Sequence, residues 1–477
     1  MYYMKKGIIA FCSLFLLLPF LSAEATEQND EKMYYILVDR FNNGDSSNDI
    51  DINIEDPQAY HGGDLQGIIK KLDHFQDMGI TVINLSPVME AGSYHGFDVV
   101  EPQNVNPHFG DVAVLQQLVS EAHEKDIKVI LDFVLTHVSE EHPWNNGQIN
   151  WVGAATENQL GESLPTVDME NQDVQEYFLE TAVFWMQTTN IDGFHFYINE
   201  QTPDDFISNM NQRLQTEKED LIILYDGEHA TNDNDMNTSF QTEAVDILKQ
   251  PGQSITPLLE RDITGIHYME GVTTPRFAYA SSQAGFNPLT RWKLATTLLY
   301  TLPGTSMLYQ GVEVPMDNGV AEPDHRMAEL NKEDEELMEH IDRLSNFAQD
   351  SSAMQHGDFE IVGETDAMTV FRRSSEDQTM YVAINNDTET KSISLSGIAD
   401  DMQLRGLLED DIVRQQSDGE YRIIMDRETS NIFILEDNSG INWFFISLIV
   451  VIFGGFAGFI VAVNRRYKKS QAENGKS

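Results

Sequence analysis

Cysteine is almost missing. The single Cys12 lies in the first apolar run, so the chain beyond that run has no disulfide to staple it and must rest on its core. Basic charge is scarce as well. Thirty Lys and Arg stand against 78 Asp and Glu, for a formal net charge of −48. Such a surface repels phosphate backbones and excludes nucleic acid as a partner; it suits a well-solvated protein in salty or alkaline surroundings. Internal repeats and low-complexity segments are lacking too. With 41% hydrophobic and 10% aromatic residues, the chain has enough apolar surface for a sizeable core and does not read as disordered.

Long apolar runs occur only at the two ends. Gly7 to Leu21 follows Lys5 and Lys6 and precedes the small-x-small pattern Ala23-Glu24-Ala25, which reads as a signal peptide over residues 1–25. Trp443 to Val463 is 21 residues without a charge, long enough to cross a bilayer. Arg465, Arg466, Lys468 and Lys469 follow at once, a stop-transfer pattern that keeps the tail 464–477 in the cytoplasm. The expectation is a single-pass protein of the cell membrane, with everything from about residue 26 to 441 extracellular.

Between these ends, strand-like runs alternate with helical patterns. Tyr34–Val38, Thr81–Leu85, Lys128–Val134, Gly193–Tyr197, Leu221–Tyr225, Gly265–Met269 and Met307–Tyr309 read as strands; Gly67–Met78, Leu115–Lys125 and Val174–Thr188 read as helices. Repeated strand–helix units over about 300 residues imply a parallel (β/α) barrel. A long loop, Val138 to Leu164, carries Trp144 and Trp151, and long loops after barrel strands are where sites are built. From about Asp366 the pattern turns to short alternating runs, Met368–Phe371, Met380–Ile384 and Asn431–Leu435, typical of an antiparallel β domain. The expected division is a barrel over 26–355 with an inserted loop domain at 138–167, then a β-sandwich over 356–440.

Several ordered motifs carry a resemblance. His61-Gly62-Gly63-Asp64-Leu65-Gln66-Gly67-Ile68 is followed by Leu85-Ser86-Pro87, Tyr94-His95-Gly96-Phe97-Asp98 and Asn106-Pro107-His108-Phe109-Gly110. Asp132-Phe133-Val134-Leu135-Thr136-His137, Asn190-Ile191-Asp192-Gly193-Phe194, Gly227-Glu228, Thr274-Pro275-Arg276-Phe277 and Pro303-Gly304-Thr305 come next. In order and spacing these are similar to α-amylases and cyclodextrin glucanotransferases, over roughly residues 33 to 440. The resemblance implies a (β/α)8 barrel with an inserted loop domain and a C-terminal β-sandwich. It also implies α-glucans as partners and a retaining cleavage that uses a nucleophile and an acid/base about 5–5.5 Å apart.

On that resemblance the acid/base falls on Glu228, which is retained. The nucleophile falls on Tyr197, where the family has Asp in Gly-Phe-Arg-x-Asp; here the run is Gly193-Phe194-His195-Phe196-Tyr197. A phenol with an ordinary pKa near ~10 is a poor nucleophile without a strong base, and His195 stands where the family's Arg would supply positive charge. The third carboxylate, which precedes Thr-Pro-Arg-Phe, falls on Thr273. Glu200 and Glu270 are the nearby carboxylates that remain to be placed. His95 and His137 match sugar-contacting residues, and Phe97 replaces a stacking Tyr.

The same resemblance bears on metal. The family's central calcium ligands fall on Thr136, Thr166 and Gln201, neutral groups that make a weak site for a hard dication, so that site is expected to be lost. A second calcium loop is matched by Asn43, Asp45, Asn48 and Asp49, joined by Gly62 and Asp64, oxygen donors suited to one calcium. The sequence thus leaves three functions open: a cell-surface glucan binder with little or no hydrolysis, an active α-1,4-glucan hydrolase, or a membrane-anchored non-catalytic scaffold.

Overall fold

The computed structural model describes residues 31–147, 149–227, 235–261, 263, 265–320, 322–438 and 443–474. The expected signal peptide with Cys12, and Glu228, lie outside the described residues.

Seven strands run parallel: β1 (Lys32–Ile36), β2 (Val82–Leu85), β3 (Lys128–Val134), β4 (Gly193–Tyr197), β5 (Ile222–Asp226), β6 (His267–Tyr268) and β7 (Ser306–Tyr309). Their order is β6-β7-β1-β2-β3-β4-β5, with parallel pairing throughout. The sheet curls shut through Asp235, bridged to Tyr225, and Met236, bridged to Ile266. This two-residue link takes the place of an eighth strand, and its shortness kept it out of the sequence reading, since two residues carry no period.

Strand residues alternate between two apolar compartments, as the pleat requires. Tyr34, Ile36, Ile83, Val129, Leu131, Phe133, Phe194 and Phe196 face the surrounding helices. Met33, Tyr35, Val82, Ile130, Val134, Tyr197, Leu224 and Met307 fill the barrel interior. Each strand is buried on both faces, which explains its nearly unbroken apolar sequence.

The expected helix Gly67–Met78 is two helices, Leu65–Ile69 and Leu72–Asp77. Asp64 caps the first by accepting from the Gly67 amide at 2.6 Å. Lys71 leaves the helical region with φ −112° and ψ 7°, and the second helix then buries Leu72 and Phe75. The other two helices run Val112–His123 and Gln172–Thr189, capped by the Asp111 and Asn171 side chains.

An inserted hairpin, Val152–Glu157 with Ser163–Val167, follows β3. After the helix Glu335–Asp350 the chain forms a six-stranded antiparallel sheet, beginning at Asp358, and a two-stranded partner, Lys391–Leu395 with Tyr421–Met425. Met368, Val370, Tyr421, Ile423 and Phe433 pack between them. The last helix is Trp443–Asn474; its stretch Ile446–Arg466 has a mean hydropathy of 2.7, is not buried against the rest of the chain, and is long and apolar enough to cross a bilayer.

Candidate active site

Barrel pleating sends Tyr35, Asn84, Asp132, His195 and Tyr197 into the interior. There they converge on one carboxylate. Asp132, fully buried, accepts from Tyr35 Oη at 2.6 Å and Tyr197 Oη at 3.1 Å on one oxygen. Its other oxygen meets Asn84 Nδ2 at 2.6 Å and His195 Nδ1 at 2.9 Å. All the positions from which a carboxylate accepts are thus occupied. Asp132 belongs to the run Asp132–His137, yet nothing in that run marks it as the hub, because its four partners come from three other strands.

Tyr197, at the expected nucleophile position, is 1% exposed. Its ring meets Phe97 edge-on at 4.8 Å and lies 4.7 Å from His195. Burial, with the Asp132 and Asp226 carboxylates nearby, pushes its phenol well above the ordinary value. Burial opposes charge on His195, but Asp132, then Asp226 and Asp235, raise its pKa. The carboxylates thus favour positive charge at the position where the family places Arg. His195 Nε2 has no hydrogen-bond partner among the described residues. Asp226, at the end of β5, is pushed up by burial and by Asp132, against the pull of His195.

The carboxylates considered as replacements do not join this cluster. Glu270 is buried and committed to Arg276, Oε1 to Nη1 at 2.9 Å, and to the Phe277 amide. Glu200 is exposed on a turn. Thr273 is exposed on the turn Gly271–Thr274, where the Thr274 amide donates to the Gly271 carbonyl at 3.2 Å; Val272 rather than Thr273 packs inward.

The sugar-contacting positions are enclosed. His95, Phe97 and His137 are 3%, 0% and 4% exposed. His95 Nε2 lies 3.1 Å from Glu162 Oε1, and its Nδ1 lies 3.0 Å from Ser93 Oγ. His137 is bracketed by hydroxyls, Thr136 at Nδ1 and Thr156 at Nε2, both 2.9 Å. Burial lowers its pKa, so it is neutral at pH 7. Thr156 Oγ1 in turn lies 2.8 Å from Thr166 Oγ1. Thr136 and Thr166, at the central calcium positions, therefore satisfy one another through His137 and Thr156, while Gln201 is exposed and its backbone N–H donates to Asn199 Oδ1.

The second metal loop is brought together. Asn43 Nδ2 donates to Asp49 Oδ1 at 2.7 Å, and both sit against Gly62, where a Cβ would meet them at 2.9 and 3.0 Å; Gly62 has φ +92°. Asp64 Oδ1 accepts from the Gly44 amide and Oδ2 from the Asp45 amide. Asp45 accepts from the Ser47 amide. Asn48 Oδ1 is buried without a hydrogen-bond partner among the described residues.

Comparison with known proteins agrees with the fold and the motifs. The α-amylase catalytic-domain profile matches residues 35–159 and the α-amylase C-terminal-domain profile residues 357–433. A crystal structure of an Anoxybacillus α-amylase is 34% identical, with a TM-score of 0.82, covering 88% of this chain and 100% of that one. The α-amylase of Geobacillus thermoleovorans, solved with acarbose, is 31% identical with a TM-score of 0.78, covering 87% and 100%. A cyclomaltodextrinase of Thermoanaerobacter pseudethanolicus is 27% identical over 420 residues, 78% of this chain and 72% of the relative. With matching motifs, a barrel followed by an antiparallel domain, and a one-third identical relative spanned end to end, this chain belongs to the α-amylase family of glycoside hydrolases, a family of carbohydrate metabolism.

Proposed function

We propose that the chain is a cell-surface member of its family that binds α-1,4-glucans with little or no hydrolysis. The observation that carries this is the condition of Tyr197. Retaining hydrolysis needs a carboxylate to attack the anomeric carbon and a second carboxyl to protonate the leaving oxygen. At the first position stands a phenol whose proton is held by burial and by its bond to Asp132. It has neither the charge nor the exposure to attack a sugar. Thr273 supplies no charge, and Glu270 is neutralised by Arg276. Glu228 alone can donate a proton but leaves the developing oxocarbenium ion without a partner.

What remains suits binding. The Phe97 ring in the interior cluster, and the buried, unpaired Nε2 of His195, are groups that stack on a sugar and hydrogen-bond its hydroxyls once they are uncovered. The relatives, among them an α-amylase solved with acarbose, make an α-glucan the expected ligand. The same relatives favour a second reading, an active α-1,4-glucan endo-hydrolase. In that case Asp226, two residues before Glu228 and close to His195 and Tyr197, is the carboxylate to supply what Tyr197 lacks. Calorimetric titration with maltoheptaose, run beside reducing-sugar release from starch, separates the readings. Binding between millimolar and micromolar without release supports the first; release abolished by Asp226→Asn supports the second.

We also propose one calcium in the loop of Asn43, Asp45, Asn48, Asp49, Gly62 and Asp64. The donors are oxygens, the loop turns on a left-handed glycine, and Asn48 Oδ1 is left buried without a partner, which fits a hard cation. Its contribution would be to fix the loop after β1. Anchoring by the helix Trp443–Asn474, with the barrel outside the cell, is supported by the exposed apolar stretch Ile446–Arg466 and the arginines that end it.

A further inference from the structure

Where the family grips sugar, this chain's own hairpin does the gripping. His95 Nε2 is taken by Glu162 at 3.1 Å. His137 Nε2 is taken by Thr156 at 2.9 Å. Leu160, between them on the hairpin tip, packs against the interior cluster that contains Tyr94, Phe97 and Tyr197. The tip is built to hold this pose. Asn158, 8% exposed, donates through Nδ2 to Glu162 Oε2 at 3.0 Å, and its Oδ1 accepts from the amides of Leu160 and Glu162, both at 2.9 Å. A carboxylate on one histidine, a hydroxyl on the other and an aliphatic group on the ring faces reproduce the contacts that a sugar ring offers.

We propose that the tip of this hairpin, residues 156–162, is an internal plug, a protein mimic of the sugar, which closes the barrel mouth at rest and must lift before a glucan enters. This rests on the glucan-binding reading of the same pocket. The tip is seated by the Glu162–His95 and Thr156–His137 contacts and the half-buried Leu160, while the base of the hairpin is fixed by backbone bonds, Val138 N to the Pro165 carbonyl at 3.1 Å and Val167 N to the Thr136 carbonyl at 2.9 Å. The tip contacts are reversible side-chain contacts, and residues 153–157 of the first strand lie exposed on the outside. A segment held this lightly is of the kind that opens locally without global unfolding. A ligand then competes with the hairpin, and its apparent affinity is reduced by the fraction of molecules that are open.

The test uses the full chain in detergent and the double variant Leu160→Ala/Glu162→Ala. Carbethoxylation of His95 and His137 by diethylpyrocarbonate is followed by peptide mass mapping, and maltoheptaose binding is titrated on the same samples. His137 is the decisive reporter, because its own partner Thr156 is untouched. The plug predicts that both histidines react about tenfold faster or more in the variant, the change expected when one hydrogen bond to a charged group is lost. It also predicts that maltoheptaose binds tighter by a similar factor. His137 reacting as slowly as in the wild type, in a variant with native circular dichroism, overturns the plug. Faster labelling of both histidines with no sugar binding upholds the plug and instead removes the glucan reading. If the double variant misfolds, the single Leu160→Ala variant, which keeps the Glu162–His95 pair, carries the same readout.

Discussion

Restoring the family's nucleophile by Tyr197→Asp should damage the protein rather than revive it. The substitution removes a ring that is 1% exposed and packed on Phe97 and His195. Deleting such a buried aromatic costs about 3–5 kcal/mol through lost transfer energy and the cavity left behind. An aspartate carboxylate also ends nearer the backbone than the tyrosine hydroxyl, so it cannot reach the hydrogen bond with Asp132. It lies instead some ~6 Å away as a second negative charge, a repulsion of about 3 kcal/mol at an effective dielectric of 20, relieved in part by protonation and by His195. The sum, about 4–7 kcal/mol, is a large share of the ~5–15 kcal/mol that holds a typical domain folded. Tyr197→Phe keeps the ring and removes only the bond to a carboxylate, at about 1.5–3 kcal/mol. Urea unfolding followed by far-ultraviolet circular dichroism measures both. A Tyr197→Asp protein within about 1 kcal/mol of the wild type would mean instead that the ring does not hold the barrel mouth together.

Burial lowers His267, His142 and His340 to about 4. Their folded pKa lies below the unfolded value near ~6.5, so the stability they contribute is present above pH ~6.5 and is lost as pH falls toward 4, at up to about 1.4 kcal/mol per pH unit per site. Asp98 and Asp226, raised by burial, act in the opposite sense. Melting temperature against pH should therefore fall between 6.5 and 4, with His267→Phe flattening the slope by about one proton; an unchanged slope contradicts the assignment. Calcium should raise the melting temperature by mass action on the folded state, and Asp45→Asn with Asp49→Asn should abolish that rise while sparing the Asp64 cap. An undiminished calcium shift in that double variant places the ion elsewhere.

Barrel strands were legible because each is buried on both faces and so reads as an apolar run, and the motifs located Tyr197, at the end of β4, and His95 and His137, in the segments that follow β2 and β3. What escaped the sequence was local in register but distant in chain. Asp132 lay inside a recognised run, yet its role depends on Tyr35, Asn84, His195 and Tyr197 meeting it from three other strands. The closing link at Asp235 and Met236 is too short to show a period. Glu162 and Leu160 sit in an inserted loop, where pattern says only that residues are polar or turn-forming; their contacts with His95 and the ring cluster are set by how the hairpin folds back. Glu270 illustrates the reverse case. It looked close enough in sequence to stand in for a lost carboxylate, but the barrel commits it to Arg276.

Turnover shows whether this member of the family lacks a working nucleophile. Reducing-sugar release from soluble starch by the purified full chain should fall below that of an intact relative assayed beside it by several orders of magnitude, because residues that act as one catalytic unit lose most of its effect together. Glu228→Gln should leave that residual rate unchanged. Ordinary turnover that Glu228→Gln abolishes would contradict the account.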